Sequence, residues 1–250
     1  MIGLRGVHKR FGRNVVLDGV DFTVDDGETV ALLGPSGSGK SVLLKHIIGL
    51  IKPDRGEVLV DGFAVPKLGR QALAKLRTRI GYAFQTGALF DSVSVFENVR
   101  LGISEESCYR DLGFCRERVA ECLRLVNLSD DVGRLMPIQL SGGMRKRVGI
   151  ARAIAGNPKY LLYDEPTSGL DPVNADVMDA LIESLQKQLH VTSVVVSHDV
   201  RGSFKVADRI ALLHQGRIRA VGTPEEFMEA KDGVVREFLE RDFQVAELED

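Results

Sequence analysis

Gly34-Pro35-Ser36-Gly37-Ser38-Gly39-Lys40-Ser41 spells G-x-x-x-x-G-K-S and follows the apolar run Val30-Ala31-Leu32-Leu33. That order predicts a strand, a tight loop and a helix over 41–50. Glycines let successive backbone N–H groups turn inward around a polyphosphate, while the lysine reaches the β and γ phosphates and the Ser41 hydroxyl is a ligand for Mg²⁺. Val42 follows directly and counts with the loop. The positive end of the helix points at the same anion. A glycine-rich structural turn is the alternative, but it requires neither the lysine nor these flanks. The stretch therefore implies nucleotide binding.

The rest of the chain sets limits around that site. Its 250 residues, 44% hydrophobic, suffice for one large domain or a domain with a subdomain. A net charge of -2 and a pI near 6.2, with no basic stripe, argue against a nucleic-acid partner. No apolar run is long enough for a membrane span and the first residues do not resemble a signal peptide, so a cytoplasmic chain is expected. Cys108, Cys115 and Cys122 are spaced by seven. On one continuous helix that spacing separates neighbours by roughly 10.5 Å, too far to bridge or share a metal, so they read as small apolar residues on one face.

Short β-type runs at 2–8, 15–24 and 57–65, separated by turn signals such as Asp25-Asp26-Gly27 and Asp61-Gly62, predict an antiparallel sheet beside the phosphate-binding strand. From about Thr86 to Leu140 the pattern becomes helical. There Glu117, Arg118, Glu121 and Arg124 alternate with Cys115, Val119, Cys122, Leu123 and Val126 as in an amphipathic helix. Alternation of β and α then returns: a helix over 144–155, a strand over 160–163, a helix near 175–189 and a strand over 191–196. That alternation implies a parallel sheet with helices on its faces. From Lys231 a short amphipathic helix with Val234, Val235, Phe238 and Leu239 on one face ends in the acidic Glu247-Leu248-Glu249-Asp250.

Leu161-Leu162-Tyr163-Asp164-Glu165 is an apolar strand delivering two acids to its C-terminal edge. Asp164 is placed to hold Mg²⁺ through its water shell, and Glu165, facing another way, to polarise the water that attacks the γ-phosphate. Without the phosphate loop, a solvated acid pair before Pro166 would be an equal reading. Leu140-Ser141-Gly142-Gly143-Met144, followed by Arg145-Lys146-Arg147, precedes this strand with room for one helix. These residues resemble the signature of the ABC-transporter ATPases, usually L-S-G-G-Q. A serine hydroxyl and two glycine amides at a helix start form a second anion site, which the resemblance assigns to the ATP of a second copy in a head-to-tail dimer. Arg145-Lys146-Arg147 reads either as a solvated helix face or as a contributor to the charge at the nucleotide seam.

The resemblance covers residues 2 to about 230 and includes every motif in order. It implies an α/β P-loop NTPase of the ABC ATPase fold, with a parallel core sheet, an antiparallel β subdomain and an inserted helical subdomain. The corresponding division is 1–85 and 146–230 for the ATP-binding core, 86–145 for the helical subdomain with the signature, and 231–250 for the tail. By the same resemblance Phe11 is the aromatic against adenine, in place of the more frequent tyrosine, and Val16 adds apolar contact. Gln85 corresponds to the Q-loop glutamine that senses Mg²⁺ and the γ-phosphate, Asp171 ends the D-loop Ser168-Gly169-Leu170-Asp171, and His198 is the switch histidine. Lys40, His198 and the partner's signature amides would neutralise the transferring phosphoryl group while Glu165 handles the water.

Gln85-Thr86-Gly87-Ala88-Leu89-Phe90, Lys40-Ser41-Val42-Leu43-Leu44-Lys45, Leu135-Met136-Pro137, Met144 in the signature and Val235-Arg236-Glu237-Phe238-Leu239 resemble the Mla/Mkl-type ATPases. That subgroup implies phospholipid cargo, an integral membrane permease, an MCE-domain protein with accessory subunits, and a peripheral place on the cytoplasmic side of the inner membrane. Phe90, Val95 and Phe96 are candidates either for the groove that accepts the permease or for internal packing. Val235, Phe238 and Leu239 are expected to dock on a second copy or on their own domain, the former being the working expectation. The same motor serving another cargo, such as amino acids or lipoproteins, and a non-transport ABC ATPase are the competing readings.

Overall fold

The computed structural model describes residues 1–104, 108 and 111–247, the last seven of these by their backbone only. The chain divides into two compact units. The first joins Met1–Ala74 with Thr192–Asp250, and the second is Lys75–Val191. In chain order the opening segment holds β1 (Ile2–Phe11), β2 (Asn14–Val24), β3 (Thr29–Leu33), α1 (Lys40–Ile47), β4 (Arg55–Val60), β5 (Phe63–Ala64) and α2 (Arg70–Arg77). Next come β6 (Ile80–Ala83), α3 (Val95–Arg100), α4 (Leu112–Leu125), α5 (Gly142–Ile154), β7 (Tyr160–Asp164) and α6 (Pro172–Leu189). The chain closes with β8 (Thr192–Ser197), α7 (Val200–Val206), β9 (Arg209–His214), β10 (Arg217–Gly222), α8 (Pro224–Met228) and α9 (Gly233–Glu247).

The first unit contains both kinds of sheet that the sequence predicts. Strands β2-β1-β4-β5 form an antiparallel sheet, and β3 lies parallel to both β8 and β9, with β10 added antiparallel to β9. Burial follows the pattern: β3 and β8 are buried along their whole lengths, as strands covered on both faces must be, whereas β10 alternates. The β9–β10 hairpin turns through Gln215 and Gly216, both with positive φ, the geometry that suits the right-handed twist of the strands. Ala31 and Leu33 of β3 share a core with Val200, Ile210, Leu212, Phe227, Val235 and Leu239. The tail helix therefore spends its apolar face on its own unit, which corrects the expectation of an inter-subunit tail. Leu248, Glu249 and Asp250 lie outside the described residues.

In the second unit β6 and β7 pair in parallel, Ile80 opposite Tyr160 through Ala83 opposite Tyr163. Helices α3, α4, α5 and α6 each start on a serine or aspartate whose side chain accepts the N–H three residues on: Ser94 from Glu97, Asp111 from Phe114, Ser141 from Met144 and Asp171 from Asn174. Each such cap stabilises its helix by about 1 kcal/mol.

Helix α4 lies where the spacing places it, with Cys115, Val119, Cys122 and Leu123 buried. Arg118, expected on the polar face, is buried with them. Its guanidinium donates to the carbonyls of Ile154 (2.8 Å) and Ala155 (3.1 Å) and to Asn157 Oδ1, and so closes the C-terminal end of α5. The cysteine reading also changes. Asp111 begins α4, so Cys108 does not continue that helix. It lies 5.1 Å from Cys115, Cα to Cα, and the two sulfurs are bonded. Cys122 alone remains a buried free thiol, its pKa pushed up to about 11 by burial.

Candidate functional site

In the first unit the phosphate loop leaves β3 at Gly34, and tertiary crowding dictates two of its glycines, Gly34 and Gly39. A Cβ on Gly34 would lie 2.3 Å from the Leu213 carbonyl oxygen, and one on Gly39 would lie 3.0 Å from Val16, with φ values of +154° and +105°. Pro35, Ser36 and Gly37 form the exposed rim of the loop, while Lys40 is 5% exposed. The Lys40 ammonium folds back over the loop and donates to the carbonyls of Gly34 (2.7 Å) and Pro35 (3.2 Å). Ser38 Oγ is buried with no hydrogen-bond partner among the described residues. Such an atom is costly unless something else satisfies it.

Ser41 and Val42 continue into α1 as half-buried residues of its first turn. Val16 lies against the loop at Gly39. Phe11, at the end of β1, is 49% exposed with the Lys9 ammonium 5.4 Å from its ring centroid. His198 follows the last buried residue of β8 and is exposed, just before Asp199, which caps α7.

The second unit holds the acids. Asp164 ends β7, 9% exposed, and accepts a 2.7 Å hydrogen bond from the Tyr82 hydroxyl on β6. Burial, reinforced by that carboxylate, raises the pKa of Tyr82, so the phenol stays a donor. Glu165 is half-buried and sits at φ +52°, a left-handed conformation uncommon for a residue with a Cβ. Gln85 is exposed after β6, and its amide donates to Ser168 Oγ at 3.2 Å. Asp171 is committed to α6: its carboxylate accepts from the Asn174 side chain (2.6 Å) and backbone (3.1 Å), which hold its pKa below the usual carboxylate range.

The signature sits at the start of α5. Ser141 and Gly142 are exposed, Gly143 and Met144 half-exposed, and the Ser141 hydroxyl accepts the Met144 N–H at 3.2 Å. The basic trio behind it separates by role. Arg147 donates to the Asn127 carbonyl, Arg145 is exposed, and Lys146 turns inward to the backbone after Glu165. Sequence reasoning had no means to single out Lys146 among three adjacent cations. It also passed over Asn98, which is buried and braces Phe90, Val93 and Ser94 through four hydrogen bonds. Val95, a candidate groove residue, is fully buried and belongs to the core, whereas Phe90 is exposed and Phe96 half-exposed.

A family model for the ABC transporter matches residues 17–168. The chain belongs to the ABC transporter family. It is an ATPase of that family, with the α/β fold of its nucleotide-binding cassettes. It is 38% identical to the probable ribonucleotide transport ATP-binding protein mkl of Mycobacterium leprae, over 95% of this chain and 68% of that one. It is 38% identical to the intermembrane phospholipid transport system ATP-binding protein MlaF of Haemophilus influenzae, over 96% of this chain and 90% of that one. A sulfate/thiosulfate import ATP-binding protein, CysA of Mycolicibacterium paratuberculosis, is 43% identical over 92% of this chain and 61% of that one. Among solved structures, a dimeric post-hydrolysis state of the cassette MJ0796 bound to ADP and Pi is similar with a TM-score of 0.78 and 34% identity, covering 90% of this chain and 99% of that one. Among the described residues, no helix of this chain is long and apolar enough to cross a membrane.

Proposed function

We propose that two copies of this chain bind ATP head to tail and power a membrane permease that moves phospholipids. The observation that carries the nucleotide half of this reading is the phosphate loop. A lysine folded onto two loop carbonyls has a ready anionic substitute in a phosphate, and the buried Ser38 hydroxyl lacks a partner among the described residues. Lys40 and the loop from Gly34 to Ser41 then hold the β and γ phosphates, Val42 and Val16 line the approach, and Phe11 stacks on adenine.

Glu165 polarises the attacking water, and Gln85 and His198 read the γ-phosphate. Ser141, Gly142, Gly143 and Met144 of one copy, with Asp171 after its D-loop, close on the ATP of the other. The solvent exposure of Ser141 and Gly142 supports that role. Ser41, Gln85 and Asp164 supply hydroxyl, amide and carboxylate oxygens, hard donors of the kind Mg²⁺ takes alongside phosphate oxygens. Mg²⁺ would neutralise charge on the β and γ phosphates.

We assign a permease partner, an MCE-domain protein with accessory subunits, and a peripheral position on the cytoplasmic face of the inner membrane on the resemblance of the sequence to the Mla/Mkl-type ATPases, a reading supported by the likeness to an intermembrane phospholipid transport ATP-binding protein. Residues 86–145, with Phe90 and Phe96 at or near the surface, are the part we assign to the permease. Met144 in the signature supports phospholipid over the other cargoes, against the higher identity of a sulfate importer, 43% compared with 38% for the phospholipid transport protein.

Two measurements test these halves. Glu165→Gln is expected to bind ATP, hydrolyse it on the order of 1,000-fold more slowly and accumulate as a dimer in ATP; full turnover would refute the assigned role. Copurification with the native permease and mass spectrometry of what it holds should yield phospholipid. Recovery of a sulfate or amino-acid permease would replace the cargo and leave the motor intact.

A further inference from the structure

We propose that Lys146 is a positioning residue for Glu165, fixing the backbone turn that presents this carboxylate and tying it to the signature helix. The inference rests on the reading of Glu165 as the group that polarises the attacking water.

An ammonium has three N–H donors and no acceptor. Lys146 uses all three on one turn, donating to the carbonyls of Glu165 (3.3 Å), Pro166 (2.9 Å) and Ser168 (2.6 Å). Carbonyl dipoles converging on one point repel one another, and a cation at that point reverses the sign of the interaction. The turn is the kind that a brace holds, since Glu165 adopts a left-handed φ of +52°, and its carbonyl also accepts the Ser168 N–H. Burial favours the neutral amine of Lys146 while the charge of Glu165 favours the ammonium, so cation and carboxylate are coupled.

The same helix holds the other flank of the unit. Gly149 abuts Gly87, where a Cβ would come within 2.9 Å of the Gly87 Cα, and Arg152 donates to the carbonyls of Gly87 (2.9 Å) and Ala88 (2.8 Å). Helix α5 is thus fastened both to the segment after Gln85 and to the segment after Glu165. Any shift of the signature end carries Lys146 with it, and through Lys146 the turn that sets the carboxylate. A lysine at this position places the catalytic turn under the control of the helix proposed to meet the partner's nucleotide.

The test is steady-state and single-turnover ATPase kinetics of the full chain in the wild-type and Glu165→Gln backgrounds. Lys146→Met should lower kcat by about 10- to 100-fold while KM for ATP stays within about twofold. Lys146→Arg, which retains charge and several donors, should recover most of the rate. In the Glu165→Gln background the methionine variant should cost nothing further, because the group it positions is already disabled. Lys146→Gln keeps two donors on a shorter stem and replaces the methionine variant if that one melts early. Normal turnover of Lys146→Met, or of Lys146→Gln where it stands in for it, overturns the inference, as does an equal loss in both backgrounds. If Glu165→Gln itself turns over at the wild-type rate, the role of Glu165 falls first. If it is inactive and Lys146→Met is not, only the role of Lys146 falls.

Discussion

Helices α1 and α5 both start from glycine-bearing segments, and their first turns are built in opposite ways. The start of α1 is enclosed. Gly39 replaces a capping side chain and is pressed against Val16, Gly34 lies under the Leu213 carbonyl, and Lys40 is buried. The start of α5 is open: it carries an ordinary serine cap, and a Cβ on Gly142 would meet nothing within 4 Å among the described residues. A Cβ on Gly143 would meet, among the described residues, Asn174 Oδ1 and Leu170 Cδ2, both at 3.8 Å. Glycine in a helix start costs stability relative to alanine, so a glycine without a steric reason inside its own chain points to a reason outside it. The first helix end is shaped by the fold that surrounds it, the second by what approaches it.

Adding one methyl group to each end is the sharpest way to break that contrast. Gly34→Ala should lose on the order of 3 kcal/mol or more of stability, or fail to fold, because the methyl meets a backbone oxygen with no room to move. Gly142→Ala should melt at the wild-type temperature or slightly above, yet lose ATPase activity on the order of 100-fold through misplacement of the facing phosphate. Thermal denaturation and steady-state ATPase read both. A Gly142→Ala protein that is fully active would remove the argument for an external partner at α5.

A smaller effect sharpens the description of the α5 cap. Ser141→Ala removes the acceptor for the Met144 N–H and should cost about 1 kcal/mol in denaturant unfolding. No loss would mean that water serves this exposed end equally well.

The smallest expected effect concerns a helix start with a charged cap. The Asp171 carboxylate is held below its ordinary value of 3.8 by the Asn174 side chain and backbone. A depressed folded-state pKa means the contribution is complete above 3.8 and is lost as pH falls through the lowered value. The wild type should therefore lose stability more steeply than Asp171→Asn as pH falls below about 4, as measured by urea midpoints; parallel curves would dismiss this cap as a contributor.

Much of the molecule was legible before any coordinates. The phosphate-loop pattern, the acid pair at the end of an apolar strand, the signature serine and the alternation after Gly156 are local, because each depends on residues adjacent in sequence or one helical turn apart. Two misreadings share a cause. Arg118 was placed on the solvent face because helical spacing cannot see the carbonyls at the end of α5 that receive it. The cysteines were laid along one helix because the break at Asp111 returns Cys108 toward Cys115. The tail belongs with them, its apolar face being equally suited to a partner and to the core that took it.

By its sequence alone the chain declared an ABC-type ATPase: phosphate chemistry demands particular residues at short, invariant spacings, and such spacings survive in one dimension. Only the tertiary structure decided which glycines are steric necessities, which cation of Arg145-Lys146-Arg147 turns inward, and what holds Glu165 in its left-handed turn. Those depend on groups distant in sequence meeting within a few ångströms, and hydrogen bonds and steric contacts act only at that range.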